Sequence, residues 1–125
     1  MVVLSLPAIL TLEITPACSN YCVGCTNAYA ADRWQPALPA SFWERWLSEL
    51  GPEAVRIRVS GGEPSLHPDF ERILEAAASF DAWVTVFTNG RWHDPAGLVR
   101  QIGRHKQLLG LLVSLHGAQP HTHEA

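Results

Sequence analysis

Three cysteines close together are the part of this sequence best suited to chemistry. Cys18, Cys22 and Cys25 have the spacing C-x3-C-x2-C, and the chain of 125 residues contains no other cysteine. Thiolates are soft ligands that suit zinc and iron–sulfur clusters. Three of them on one short loop can ligate three irons of a cubane cluster and leave one iron open to a small molecule. A structural zinc site is the alternative, because one of the six histidines could provide its fourth ligand.

The composition indicates one folded domain. Hydrophobic residues make up 47% of the chain and charged residues 17%, which is enough apolar surface for a packed core. The net charge of −3 and the lack of a basic run argue against a nucleic-acid partner. The apolar start of the chain has no basic residues before it and is interrupted by Glu13 and Pro16, so we expect neither a signal peptide nor a membrane span. An odd number of cysteines favours a reducing, cytoplasmic location.

Strand and helix patterns alternate along the chain. Strands are predicted at about residues 9–15, 55–60, 83–88 and 109–115, from alternating or continuous apolar residues. Helices are predicted at 41–50, at about 68–79 and after Asp94. Ser41 and Glu44 have the spacing of a capping box, and Asp94 before Pro95 is typical of a helix N-cap. The alternation predicts an α/β fold with parallel strands and right-handed crossovers.

Polar residues alternate with apolar ones in the first two strands. Because helices cover the outer face, we expect the apolar residues to point outward. Thr11, Glu13, Arg56 and Arg58 would then point into a concave interior, which suits a wide, ligand-holding partial barrel. An ion pair between Glu13 and Arg58 is a hypothesis that follows.

The residues suited to chemistry all follow strand ends. They are the cysteine loop, the segment from Ser60 to Pro64, Asn89 and the segment from Ser114 to Gly117. In α/β sheets and barrels the carboxyl ends of parallel strands carry the active site. We therefore expect these four segments to meet at one rim.

Together these motifs resemble the radical S-adenosylmethionine (SAM) superfamily. The matching segments are CSNYCVGC from Cys18, SGGEP from Ser60, TNG from Thr88 and SLHG from Ser114. The resemblance implies a partial (βα) TIM-type barrel, with about four of the usual six βα units present. Residues 1–125 would form one core domain that is truncated on its C-terminal side, where residues 119–125 resemble the start of a fourth helix.

The resemblance also implies the cofactors. Cys18, Cys22 and Cys25 would ligate a [4Fe–4S] cluster whose open iron chelates SAM. The expected cofactor-binding residues are Ser60, Gly61, Gly62, Glu63, Asn89 and Ser114. Gly61 to Glu63 would bind the methionine amino group, and Ser114 matches a position that often contacts the ribose. After reduction by a flavodoxin- or ferredoxin-type donor, SAM would be cleaved to methionine and a 5′-deoxyadenosyl radical that abstracts hydrogen from the substrate.

The chain departs from the superfamily pattern at two positions. Gly24 stands where many members have an aromatic residue, and His116 stands where the turn after the fourth strand often has aspartate. The motifs resemble the branch of the superfamily that includes peptide- and protein-modifying maturases and molybdenum-cofactor-type enzymes, and within it we expect a peptide or protein substrate. Two alternatives remain, an activating enzyme for a glycyl-radical system and a non-catalytic iron–sulfur or zinc-binding module.

Overall fold

Four strands form one open, fully parallel sheet. A computed structural model of the chain describes residues 9–105 and 107–123. The strands, in sheet order, are β1 (Ile9–Glu13), β2 (Arg56–Ser60), β3 (Trp83–Thr88) and β4 (Leu108–Val113). The helices are α1 (Ala40–Leu50), α2 (Phe70–Ala78), α3 (Pro95–Ile102) and the short α4 (Pro120–His123). The predicted α/β arrangement of parallel strands and intervening helices is confirmed.

The apolar residues of the strands form a core with the helices. The register places Leu12 beside Val59 and Val59 beside Val86, and all three side chains are buried. They belong to one cluster with Leu47 of α1 and Ile73 of α2. The predicted outward direction of these apolar strand residues is therefore confirmed, and Thr11, Glu13, Arg56 and Arg58 lie on the opposite face of the sheet, beside Ile9 and Trp83.

The partner of Arg58, on the face of the sheet opposite the helices, differs from the sequence-based hypothesis. The register places Thr11 opposite Arg58 and Ser60 opposite Glu13. No ion pair joins Glu13 to Arg58, although both lie in the described part of the chain. The guanidinium of Arg58 instead lies 5.8 Å from the centre of the Phe87 ring, on the neighbouring strand. The ion-pair hypothesis is therefore wrong, and the Arg58 guanidinium makes a cation–π contact with Phe87 in place of the ion pair.

The two predicted helix caps have different outcomes. Asp94 caps α3 as expected, since its Oδ1 accepts a hydrogen bond from the Gly97 amide at 2.9 Å. The Ser41 capping box is wrong, because α1 begins at Ala40 and has Pro39 at its N-cap without a side-chain cap. A residue distant in sequence provides the acceptor instead: Asp69 Oδ2 accepts a hydrogen bond from the Ala40 backbone amide at 3.3 Å.

The structure describes a helix near the C-terminus of the chain but not its first eight residues. Residues 1–8, which include most of the apolar start, lie outside the described residues. The helix predicted near the C-terminus is present as α4. Across the residues that the structure describes, every helix is too short or too polar to cross a membrane. The cytoplasmic location stays a prediction.

The caps give a first testable prediction. Replacing Asp94 with Ala should lower the free energy of unfolding by about 1 kcal/mol, because a helix N–H loses its acceptor. The matched variant Ser41→Ala should change it by less than about 0.5 kcal/mol, since this exposed side chain caps nothing. Urea unfolding followed by circular dichroism measures both. Equal losses for the two variants would contradict the cap assignment.

Candidate functional site

The carboxyl ends of the four strands carry the predicted site residues on one rim. The cysteine loop follows β1, Gly61 to Glu63 follow β2, Asn89 follows β3 and Ser114 follows β4. Direct hydrogen bonds join neighbouring segments: Asn89 Nδ2 lies 3.6 Å from Cys18 Sγ, and the Ser114 amide donates to the Thr88 carbonyl at 2.9 Å. The structure therefore brings the sequence-predicted segments together, as the parallel topology requires.

Gly61 and Gly62 bring the end of β2 against the chain that leads into the cysteine loop. The Gly62 amide donates to the Thr15 carbonyl at 2.8 Å, and the Glu63 amide donates to the Ala17 carbonyl at 2.7 Å. A Cβ on Gly62 would overlap the carbonyl oxygen of Ala17. Gly61 has a φ of +137°, which L side chains rarely adopt. The need for glycine here is thus explained by contact between two chain segments.

The carboxylate of Glu63 points into the protein. The residue is 0% exposed. Its oxygens accept hydrogen bonds from the Thr88 hydroxyl at 2.9 Å, the Asn89 amide at 2.7 Å and the Ser65 hydroxyl at 2.6 Å. A buried carboxylate is tolerated when it is saturated in this way. The side chain therefore ties the end of β2 to the end of β3, and its contact with a methionine amino group stays a prediction.

The hydroxyl of Thr88 is oriented by its neighbours. It accepts hydrogen bonds from Trp92 Nε1 at 2.8 Å and from the Gly90 amide at 3.1 Å. With both acceptor positions occupied, its single proton is directed to Glu63. Thr88 and Trp92, which are not among the predicted cofactor-binding residues, thus support the carboxylate that the motif contains.

Two N–H groups point at the sulfur of Cys18. The backbone nitrogen of Asn20 lies 3.5 Å from Cys18 Sγ, and the side-chain Nδ2 of Asn89 lies 3.6 Å from the same sulfur. Both the backbone and the side chain of Asn89 are fixed by hydrogen bonds. Its backbone N–H donates to Glu63, and its side-chain Oδ1 accepts from the backbone N–H of Arg91 at 2.8 Å. Hydrogen bonds to cluster sulfurs and to ligating groups tune metal centres. Asn89 is therefore placed to act on Cys18.

The other two cysteines lie on a tight turn. Cys22 is half-buried and Cys25 is exposed, and all three thiols are free. The Cys25 amide donates to the Cys22 carbonyl at 3.2 Å, and Gly24 between them has a φ of +82°. Because a left-handed residue strongly favours glycine, the backbone of this turn accounts for the departure at Gly24 from the superfamily's usual aromatic residue.

The donor set fits a cubane cluster. Of the residues that the structure describes, no three His, Cys, Asp or Glu side chains converge as a single metal ion would require. A cubane binds each thiolate through a different iron, so its ligands need not converge on one point. The loop matches that requirement. It carries three free thiols, two of them only partly accessible, and N–H donors point at Cys18. The ligand roles of the cysteines remain predictions.

A buried arginine supports the cysteine loop from within. Arg33 is 3% exposed, and its guanidinium donates to the backbone carbonyls of Cys18, Asn20 and Asn27. It also lies 4.1 Å from the centre of the Tyr21 ring. Arg33 could not be predicted from the sequence, because it lies in a segment without periodicity or motif and its partners are main-chain atoms that leave no pattern in the sequence.

A comparison with known families decides the classification. A sequence model described as the radical SAM superfamily matches residues 12–125. The chain belongs to this superfamily. Its PqqA peptide cyclase relative from Methylorubrum extorquens is 32% identical over 89 residues, which cover 70% of this chain and 23% of that protein. The relative of the same name from Streptomyces rochei is 32% identical over 128 residues, covering 95% of this chain and 32% of that protein. The chain thus spans a minor part of the relatives' length.

Solved structures share the radical SAM fold of this chain. Streptococcus suis SuiB bound to S-adenosylmethionine superposes with a TM-score of 0.82 at 24% identity, covering 96% of this chain and 28% of SuiB. SuiB bound to its precursor peptide SuiA gives 0.80 at 24% identity, covering 97% and 27%. BtrN in an open conformation gives 0.69 at 18% identity, covering 92% and 53%.

The contact of Gly62 with the chain before the cysteine loop gives a prediction about stability. Replacing Gly62 with Ala should lower the free energy of unfolding by about 1–3 kcal/mol, because the new Cβ overlaps backbone atoms that cannot rotate away. The control is Gly110→Ala on β4, where an added Cβ has no atom within 4 Å. That variant should be as stable as the parent or slightly more stable. Urea unfolding compares the two, and a Gly62 variant as stable as its control would contradict the assignment.

Proposed function

We propose that this chain forms part of the core domain of a radical SAM enzyme. In this proposal Cys18, Cys22 and Cys25 ligate a [4Fe–4S] cluster, and SAM binds beside it on the rim. The observation that carries the proposal is the set of hydrogen bonds that holds the cysteine loop against the turns after β2 and β3. Membership of the superfamily supports the enzyme over a non-catalytic iron–sulfur or zinc-binding module.

The chain's own residues would bind and orient the cofactors. When bound, the reduced cluster supplies the electron that cleaves SAM to methionine and a 5′-deoxyadenosyl radical. Ser60, Gly61 and Gly62 lie half-buried on the rim, where their polar backbone groups suit the amino acid end of SAM. Asn89 and Ser114 follow the next two strands and remain the proposed contacts for the rest of the molecule.

The outer side of the cysteine loop suits the approach of an electron donor. Cys25 is exposed, and Val23 and Tyr29 on either side of it are 81% and 77% exposed. Electron transfer between proteins uses small, transient interfaces. A flavodoxin- or ferredoxin-type protein that binds this surface is the proposed one-electron donor.

The cluster proposal predicts which cysteines are needed. Anaerobic reconstitution with iron and sulfide should give iron–sulfur absorption, an EPR signal on reduction that changes when SAM is added, and 5′-deoxyadenosine with dithionite. Replacing Cys18, Cys22 or Cys25 with Ser should abolish the SAM-responsive signal, because the cubane loses a ligand. Thr26→Ala, an exposed change in the same loop, should retain it. Zinc retention without any effect of SAM would contradict the enzyme and favour the zinc-binding module.

We propose further that the substrate is a peptide. Two kinds of similar protein support this class: relatives named PqqA peptide cyclase, and SuiB, which was crystallised with its precursor peptide. These relatives favour a peptide-modifying enzyme over an activating enzyme for a glycyl-radical system. The face of the sheet on which Arg56 and Arg58 lie half-buried suits a substrate with backbone carbonyls and carboxylates.

The peptide proposal is tested by co-expression. The protein should be produced together with each short peptide encoded beside its gene, and the peptides analysed by mass spectrometry. We expect one peptide to change in mass with the parent protein and to remain unchanged with the Cys18→Ser variant. Loss of the SAM-dependent chemistry is the physical reason for that difference. If peptides stay unmodified while 5′-deoxyadenosine accumulates, the peptide class is wrong and the enzyme class stands.

A further inference from the structure

The environment of Arg33 is unusual for a charged side chain. The residue is 3% exposed, and its two terminal nitrogens donate to three carbonyl groups of the segment that contains the cysteines. The flat face of the guanidinium lies on the Tyr21 ring at 4.1 Å, and the Trp34 ring is 5.3 Å away. A fork of planar donors is the geometry that lets arginine bind several carbonyls at once.

The charge of Arg33 has no carboxylate partner in the described part of the chain. The ion pairs found there join Arg72 to Glu44 and Arg104 to Glu71, on the helices. Its Nε is buried and makes no hydrogen bond. Burial of an unpaired cation costs several kcal/mol in general, so such groups are usually paired with an anion. The structure thus contains a buried positive charge whose hydrogen bonds go to the residues around Cys18.

The proposed cluster would supply the anion that Arg33 lacks among the described residues. A cubane core with two positive charges and three thiolate ligands carries one net negative charge, and reduction by one electron adds a second. A fixed cation beside the loop stabilises both states and stabilises the reduced state more, because Coulomb energy scales with the charge. The net charge around a cluster is one of the factors that set its reduction potential.

We propose that Arg33 has two roles toward the cluster, and this inference rests on the proposed function. It is a positioning residue that fixes the backbone of the cysteine loop through the carbonyls of Cys18 and Asn20. It is also the counter-charge that raises the reduction potential of the cluster. The first role depends on the planar fork of donors, and the second depends only on the positive charge.

Two variants separate these roles. Arg33→Lys keeps the charge and loses the fork, whereas Arg33→Gln loses both. Arg45→Gln is the matched control, because it removes an exposed cation from α1, where the Arg45 guanidinium lies over Phe42. Two measurements are made on each chain: amide hydrogen exchange of residues 18–28 in the metal-free protein, and an EPR-monitored redox titration after anaerobic reconstitution.

Each role predicts a different pattern. Exchange at residues 18–28 should speed up at least several-fold in both Arg33 variants and stay unchanged in Arg45→Gln. The reduction potential should stay near that of the parent in Arg33→Lys and Arg45→Gln. In Arg33→Gln the ratio of reduced to oxidised cluster at a fixed potential should fall about tenfold, which is a shift of about 59 mV for one electron.

The outcomes that overturn the proposal are distinct. Equal potentials in Arg33→Lys and Arg33→Gln would refute the counter-charge, and unchanged exchange would refute the positioning role. If Arg33→Gln fails to fold, citrulline at position 33, introduced by ligation at Cys25, removes the charge with little change of shape and takes its place. If even the parent chain binds no cluster, the proposed function and the counter-charge both fail, while hydrogen exchange still tests the positioning role.

Discussion

The carboxylate of Glu63 can remain buried only because the chain surrounds it with donors. Its partners are the hydroxyls of Ser65 and Thr88 and the amides of Ser65 and Asn89. An ionised carboxylate that lost this set would carry a desolvation cost of several kcal/mol. Any arrangement of the rim must therefore keep the turn after β3 against the turn after β2. This requirement fixes Thr88 and Asn89, and with them the groups that contact the cysteine loop.

The cysteine loop is held by polar contacts from two sides. Asn89 reaches Cys18 from the turn after β3, and Arg33 binds the carbonyls of Cys18 and Asn20 from a later part of the chain. Apolar packing contributes less here, since Val23 and Cys25 are exposed. Hydrogen bonds fix direction more strictly than apolar contacts do. A loop that must present three thiolates while one side stays open to solvent benefits from anchors of this kind.

The sequence predicted the elements better than the contacts between them. Alternation in β1 and β2 is a local signal with a period of two, so the strands and the direction of their apolar residues followed from it. The Cys18–Cys25 spacing is local as well. The partner of Arg58 and the acceptor for the first amide of α1 depend on the register and on helix packing, which local patterns do not encode. The Glu13 ion pair and the Ser41 capping box were wrong for that reason.

The contacts of Arg33 are a more general case of the same limit. Its partners are backbone carbonyls, which every residue has, so no residue type at Cys18, Asn20 or Asn27 marks the interaction. Gly24 is the opposite case, because a backbone φ of +82° favours glycine and the glycine can be recognised in the sequence. An aromatic residue there would have to adopt a left-handed backbone at a cost of roughly 1–2 kcal/mol. The turn between Cys22 and Cys25 therefore disfavours an aromatic residue at position 24, so the aromatic surface that many members offer from this position must come from another residue.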